Sequence, residues 1–126
     1  MRIDLLTLFP DVFDNLNSFS IIKKAIDSKK VKIITHNLRD YAENSRKVDD
    51  YPYGGFPGMV LKIEPIDNCI EFLKKSNNYD EIIYLTPDGE LLNQKESNYL
   101  STLGNIIIIC GHYKGVDHRV REHIVT

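Results

Sequence analysis

The segment that most restricts the fold of this 126-residue chain is NIIIIC at residues 105–110. Four consecutive isoleucines leave no polar face, so a strand with this sequence is expected to be covered on both sides. Short apolar or β-branched runs also occur at residues 3–8, 31–38 and 80–85. Stretches with apolar residues at helical spacing lie between these runs. This alternation predicts one α/β domain, with a mostly parallel sheet and helices on both faces.

The helical stretches carry recognisable start signals. We predict helices over 18–30, 65–75, 93–103 and 116–124, and a brief strand over 59–63. Ser18 or Ser20 would cap the first helix, and Pro65 would stand at the start of the second. Asn93, with Glu96 three residues later, resembles a capping box.

Composition excludes several classes of protein. The net charge is −2, so no overall basic field would attract nucleic acid, and any RNA contact must come from local patches. No apolar run is long enough to span a membrane, and the N-terminus reads as a strand rather than a signal peptide. The two cysteines are isolated, which predicts reduced thiols and a cytoplasmic protein. The four histidines offer no zinc-binding spacing, no metal site is predicted, and P-loop, Rossmann and G-x-S-x-G motifs are missing.

Two stretches rich in glycine and polar groups directly follow predicted strands. YLTPDG occupies residues 84–89 and CGHYKG occupies residues 110–115. Open parallel sheets bind ligands outside the carboxyl ends of their strands, so both stretches are candidate ligand loops. Each also has a purely structural reading: Pro-Asp-Gly is a good turn, and the two glycines suit a tight strand-to-helix connection.

The longest stretch without periodicity runs from residue 39 to residue 58 and ends in YPYGGFPG. Loops of this length in small domains are often functional, and a polar, glycine-rich segment is expected to be mobile without a ligand. A structural hairpin is the alternative for its end. Arg46 and Lys47, beside Asp49 and Asp50, could equally be a solvated charge cluster.

Four motifs together identify a resemblance that none would carry alone. LFPDVF, VDDYPYGGFPGM, YLTPDG and CGHYKGVDHRV occur in the order and spacing typical of the bacterial tRNA (guanine-N1)-methyltransferase family, and the match covers essentially the whole chain. The resemblance implies a SPOUT-class α/β fold with a trefoil knot, and a homodimer whose active sites use both subunits. It also implies that N1 of the guanine 3′ of the tRNA anticodon is methylated with S-adenosylmethionine. Whether the parent enzyme needs Mg²⁺ stays open.

The resemblance implies site residues in two groups. Those expected to contact the cofactor are Tyr84, Leu85, Thr86, Pro87, Gly89, Gly111, Tyr113, Lys114 and Gly115. Those expected to line the pocket for the flipped guanine, or to contact tRNA, are Arg46, Asp49, Asp50, Pro52, Tyr53, Gly54, Gly55, Pro57 and Gly58. Extrusion of the base is expected because its edge cannot be reached within a stack.

Some residues depart from the family pattern. Lys114 stands where the family usually has a glutamate, which puts any carboxylate or metal role there in doubt. Phe56 replaces a glycine, and Ser45 stands where histidine is frequent.

The family's proposed catalytic aspartate, its supporting arginine and its small tRNA-binding domain would follow Thr126. We therefore expect residues 1–126 to be the N-terminal part of the methyltransferase domain, ending before the knot is complete and inactive alone. A non-catalytic nucleotide- or RNA-binding module and an inert fragment are the rival hypotheses. Methyl transfer from labelled cofactor would exclude both, and calorimetry with the cofactor would separate them from each other.

Overall fold

The computed structural model describes residues 1–18, 20–42, 49–50, 60–61, 63–87 and 89–111, with the backbone alone at 17, 49–50 and 60–61. Its main sheet consists of four strands: β1 (Arg2–Thr7), β2 (Lys32–Asn37), β5 (Glu81–Leu85) and β6 (Asn105–Cys110). Two short strands, β3 (Asp49–Asp50) and β4 (Val60–Leu61), pair separately. The predicted helix at 116–124 lies outside the described residues.

The main sheet is entirely parallel, with strand order β2-β1-β6-β5. The isoleucine-rich strand β6 occupies an inner position, as its composition predicts. Ile107 and Ile109 are fully buried and Ile106 nearly so, whereas Ile108 is only half-buried. The prediction that both faces of β6 are buried is therefore confirmed for the face with Ile107 and Ile109, and only partly for the face with Ile106 and Ile108.

Helix α2 (Ile63–Lys74) covers the better-buried face. Its apolar residues recur every three or four positions, which places them on one side of the helix. They pack with residues from three strands into one core cluster, whose buried members are Leu6, Leu8, Leu38, Ile66, Cys69, Ile70, Leu73, Ile82, Ile107 and Ile109.

The opposite face carries helix α1 (Ser20–Asp27) near the amino ends of the strands. Ile26 of this helix lines a cavity of about 690 Å³ together with Ile33 and Thr35 of β2. These two residues alternate with the core-facing positions of the strand, so α1 and α2 lie on opposite faces. The prediction of helices on both faces is confirmed.

Helix α3 (Gln94–Leu100) begins as the capping signal predicts: the Asn93 side chain accepts a hydrogen bond of 2.8 Å from the Glu96 backbone N–H. Several boundaries differ from the prediction. Of the strand predicted over 59–63, residues 60–61 form a strand, and Ile63 already belongs to α2, which therefore starts before Pro65. Helix α1 ends at Asp27 instead of at residue 30, and α3 ends at Leu100 instead of at residue 103. Residues 39–41, at the start of the stretch predicted to lack structure, belong to a 3-10 turn, Leu38–Tyr41. Leu38, predicted as the last residue of a strand, begins this turn and is buried in the core.

Candidate functional site

The carboxyl ends of all four strands lie at one edge of the main sheet, because the strands are parallel. Leu85, the last residue of β5, is the register partner of Cys110, the last residue of β6. The two predicted ligand loops therefore begin side by side, and Thr86 and Gly111 are the first residues beyond these strand ends. The sequence predicted that each loop follows a strand, and the structure adds that the two strands are neighbours.

The first loop is a tight turn. The Gly89 backbone N–H donates a hydrogen bond of 3.3 Å to the Thr86 carbonyl. A Cβ atom at Gly89 would lie 3.0 Å from Thr86 Cγ2, closer than side chains normally approach. A side chain at position 89 would thus push Thr86 away. Both the turn reading and the ligand-loop reading are compatible with this geometry, since a ligand loop can also be a turn.

Side chains of neighbouring residues in this loop point in different directions. Tyr84 is partly buried and packs against the core cluster. Leu85 is on the opposite face and is 55% exposed, while its partner Cys110 is half-buried. Pro87, Gly89 and Gly111 are exposed. The edge thus offers an apolar surface flanked by backbone amides, a combination that suits a flat heterocycle.

The middle of the chain forms a two-stranded antiparallel ladder, in which Asp49 pairs with Leu61 and Asp50 with Val60. The ladder brings the two ends of residues 51–59 together, so the hairpin reading of this stretch is confirmed at its base. It follows the 3-10 turn at the carboxyl end of β2 and leads directly into α2.

Most of the predicted guanine-pocket residues lie outside the described part of the chain: Arg46, Pro52, Tyr53, Gly54, Gly55, Pro57 and Gly58. So do Tyr113, Lys114 and Gly115 of the second ligand loop, and most of the stretch predicted to be mobile. Asp49 and Asp50 are described by their backbone alone. Their roles stay predictions.

A buried carboxylate that the sequence interpretation did not identify lies in the first strand. Asp4 is fully buried and accepts hydrogen bonds from Arg2 Nε at 2.9 Å and Arg2 Nη2 at 3.2 Å. His36 Nε2 lies 2.7 Å from Oδ1, and the Tyr79 hydroxyl donates to Oδ2 at 2.7 Å. The signal available in the sequence was a lone acid between Ile3 and Leu5, within a strand expected to be buried.

This network sets the protonation of its members. Burial alone would raise the pKa of Asp4, but the hydrogen bonds from His36, Arg2 and Tyr79 outweigh it and hold the pKa at about 2. Burial, together with the bond to Asp4, raises the pKa of Tyr79 to about 12. Asp4 is therefore a charged structural group that links β1, β2 and the segment before β5, and it is not suited to accept a proton at neutral pH.

In the described ranges, no three residues of histidine, cysteine, aspartate or glutamate lie close enough together to hold a metal ion. No helix in the same part of the chain is long and apolar enough to cross a bilayer.

Among known proteins, this chain is similar to tRNA (guanine-N1)-methyltransferases. A family model described as tRNA (Guanine-1)-methyltransferase TrmD matches residues 1–126. The chain belongs to this methyltransferase family. Within the family, a tRNA (guanine-N(1)-)-methyltransferase from Flavobacterium psychrophilum is 58% identical, over 100% of this chain and 56% of that protein. The enzyme of the same name from Bacteroides fragilis is 54% identical, with the same coverage.

The fold is also similar to that of a solved structure from this family. The crystal structure of tRNA (m1G37) methyltransferase from Aquifex aeolicus matches with a TM-score of 0.90 and 42% identity, covering 97% of this chain and 56% of that one. The expectation of a SPOUT-type methyltransferase fold is thereby confirmed. The chain spans about half the length of the family members it matches.

Proposed function

We propose that the protein containing this chain transfers a methyl group from S-adenosylmethionine to N1 of the guanine 3′ of the tRNA anticodon. The observation that carries this proposal is the family match, which extends over every residue of the chain. Residues 1–126 would form the first part of the methyltransferase domain.

The cofactor would bind at the edge where β5 and β6 end. The residues there fit it: the exposed Leu85 offers an apolar surface to the adenine ring, and the backbone of the Thr86–Gly89 turn offers hydrogen-bonding groups without a bulky side chain. Gly111 begins the adjacent loop from a neighbouring strand. Tyr84, Pro87, Tyr113, Lys114 and Gly115 complete the proposed cofactor-contacting set.

The target guanine would enter a pocket formed by the stretch between residues 46 and 58. The pairing of Asp49–Asp50 with Val60–Leu61 supports this role, because it closes the base of a hairpin whose tip is rich in glycine and proline. The proposed guanine-contacting residues are Arg46, Asp49, Asp50, Pro52, Tyr53, Gly54, Gly55, Pro57 and Gly58.

When bound, S-adenosylmethionine supplies an electrophilic methyl group. Guanine N1 carries a proton at neutral pH, so methylation needs a base for that proton and a positive group near O6. Asp4 cannot serve as the base, because it lies buried in its own network with a pKa of about 2. We propose that both groups come from the protein beyond residue 126, and that residues 1–126 bind and orient cofactor and base.

Partners and location follow from the same proposal. The substrate is tRNA, the working unit is a homodimer, and the location is the cytoplasm, where tRNA is available. For Mg²⁺ the described residues offer no three-residue cluster of acidic, histidine or cysteine ligands. Activity after exhaustive chelation, compared with activity after Mg²⁺ is restored, decides whether the intact protein needs the ion.

Complementation tests the proposal in cells. The intact gene should restore N1-methylated guanine in tRNA in a bacterial strain depleted of its own tRNA (guanine-N1)-methyltransferase. A variant with Gly89→Val, which places branched carbons against Thr86, should restore it poorly at equal protein level. Folded, abundant wild-type protein that leaves the tRNA unmethylated would contradict the proposal.

A further inference from the structure

Two neighbouring strands, β1 and β2, end in the same local structure. Thr7 and Asn37, their last residues, are register partners. Thr7 Oγ1 accepts a hydrogen bond of 3.0 Å from the Phe9 backbone N–H, and Asn37 Oδ1 accepts one of 3.0 Å from the Arg39 backbone N–H. In each case the side chain of the last strand residue accepts a hydrogen bond from the backbone N–H two positions later, and this bond stabilises the turn that follows the strand. These matched caps bring Phe9 and Arg39 together beyond the strand ends.

The side chains of these two residues are in contact. The Arg39 Cζ atom lies 5.9 Å from the centre of the Phe9 ring, within the range of a cation–π interaction. Phe9 is 40% exposed, so this contact lies at the protein surface. The ring thus fixes the position of a guanidinium group at the protein surface.

Arg39 differs from Arg2 in how its charge is compensated. Arg2 makes two hydrogen bonds to the buried Asp4 carboxylate and has a structural role. The ion pairs among the described residues join Arg2 to Asp4, Lys23 to Asp27 and His36 to Asp4, and none includes Arg39. Because no carboxylate in the described part of the chain pairs with Arg39, its guanidinium can donate to an external anion.

The position of the pair suggests which anion this is. Phe9 and Arg39 stand at the same edge of the sheet as Thr86 and Gly111, because all four strands are parallel. Strand β1 lies next to β6, and Arg39 comes ten positions before Asp49, the first residue of the hairpin base, in the sequence. The guanidinium therefore lies at the same end of the sheet as the proposed cofactor site, and it precedes the proposed guanine-binding stretch along the chain. A nucleotide beside the target guanine would bring its backbone phosphate to this region.

We propose that Arg39 binds a backbone phosphate of the tRNA anticodon loop, and that Phe9 positions its guanidinium plane. Arginine suits this task because its planar fork of donors matches the oxygens of a phosphate. The inference rests on the proposed function, since it takes tRNA as the substrate. It adds an RNA contact in the methyltransferase domain itself, outside both the proposed cofactor and guanine residues.

The test measures binding of a fluorescent anticodon stem-loop RNA to the intact protein at several salt concentrations. Arg39→Gln should weaken binding about tenfold and lower the slope of log affinity against log salt by roughly 0.7 to 0.9, the change expected for one lost phosphate contact. Arg39→Lys should keep the slope with only part of the affinity loss. Phe9→Leu should keep the slope and weaken binding about threefold, because the cation remains but is less well placed.

Lys32→Gln is the matched control. Lys32 is an exposed cation at the amino end of β2, whereas Arg39 follows the carboxyl end of that strand, so loss of Lys32 changes the net charge equally but away from the proposed RNA site. S-adenosylmethionine affinity should be unchanged in all four variants. If Arg39→Gln and Lys32→Gln behave alike while the wild type binds RNA and methylates tRNA, the Arg39 inference is wrong and the proposed function stands. If the wild type neither binds the RNA nor methylates tRNA, both are wrong.

Discussion

The Tyr79 hydroxyl donates a hydrogen bond of 2.7 Å to the carboxylate of Asp4, 75 positions earlier in the chain. Tyr79 precedes β5 and Asp4 is in β1, so this bond links β1 to the segment that leads into β5, although β6 separates the two strands in the sheet. His36 adds a contact from β2 on the other side. One buried carboxylate therefore connects β1, β2 and the segment that leads into β5.

Removing the charge of Asp4 should destabilise the protein. Asp4→Asn leaves the Arg2 guanidinium without its carboxylate, and we expect a loss of about 3 kcal/mol in the free energy of unfolding at pH 7. Tyr79→Phe removes one hydrogen bond to a charged acceptor and should cost about 2 kcal/mol. Urea denaturation measures both. A loss below 0.5 kcal/mol for Asp4→Asn, taken roughly as the effect of a surface substitution, would contradict a structural role for the network.

The lowered pKa of Asp4 predicts that the protein becomes less stable in acid. The pKa of Asp4 is about 2 in the folded protein against an ordinary value of 3.8, so the folded state favours the charged form. Its contribution is full above about pH 4 and is lost as the pH falls toward 2, a total of about 2 kcal/mol. The difference in stability between wild type and Asp4→Asn should shrink over this interval. A difference that stays constant from pH 5 to pH 2 would show that Asp4 titrates normally.

Gly89→Ala should weaken S-adenosylmethionine binding by displacing Thr86. The added Cβ would lie 3.0 Å from Thr86 Cγ2, so the Thr86 side chain must shift to make room for it. Thr86→Ser removes this methyl group and keeps the hydroxyl, and combining it with Gly89→Ala should recover most of the affinity. Calorimetry with the cofactor checks the pair. Equal affinity for wild type and Gly89→Ala would mean that the turn only connects β5 to the next segment.

The two cysteines should differ in reactivity and in protection by ligand. Cys69 is fully buried in the core and burial raises the pKa of its thiol to about 12, so alkylation in the folded protein should be negligible. Cys110 is half-buried at the end of β6, where burial also raises its pKa, and it should react slowly. Saturating S-adenosylmethionine should slow alkylation of Cys110 at least fivefold, while methionine at the same concentration should not. Unchanged labelling would place the cofactor elsewhere.

Loss of the Asn93 cap should cost about 1 kcal/mol. Its side chain accepts the Glu96 N–H at 2.8 Å, and Asn93→Ala leaves this donor without that partner. Asn98→Ala, on the same exposed helix, is the control, because it removes only a surface contact with Gln94. Chemical denaturation should show a clear difference between the two, and equal losses would exclude a capping role.

The sequence was informative where local chemistry decides the structure. The isoleucines of β6, the helical spacing in α2 and the cap at Asn93 all predicted elements that are present. The strand-end location of the Thr86–Gly89 turn followed from the parallel pattern. The sequence could not reveal the buried network around Asp4. Its partners Tyr79 and His36 come from distant positions in the chain, and their contact with Asp4 depends on the strand order. The contact of Arg39 with Phe9 was hidden for the same reason, since it requires β1 and β2 to be neighbours in register.

The most direct measurement is mass spectrometry of tRNA incubated with the intact protein and isotopically labelled S-adenosylmethionine. One labelled methyl group should appear, on N1 of the guanine 3′ of the anticodon, and tRNA with adenine at that position should stay unlabelled. Gly89→Val should lower the rate at least tenfold without changing the position of the label. Label on another atom or nucleotide, or no label with folded protein that binds the cofactor, would contradict the proposed methyl transfer to guanine N1.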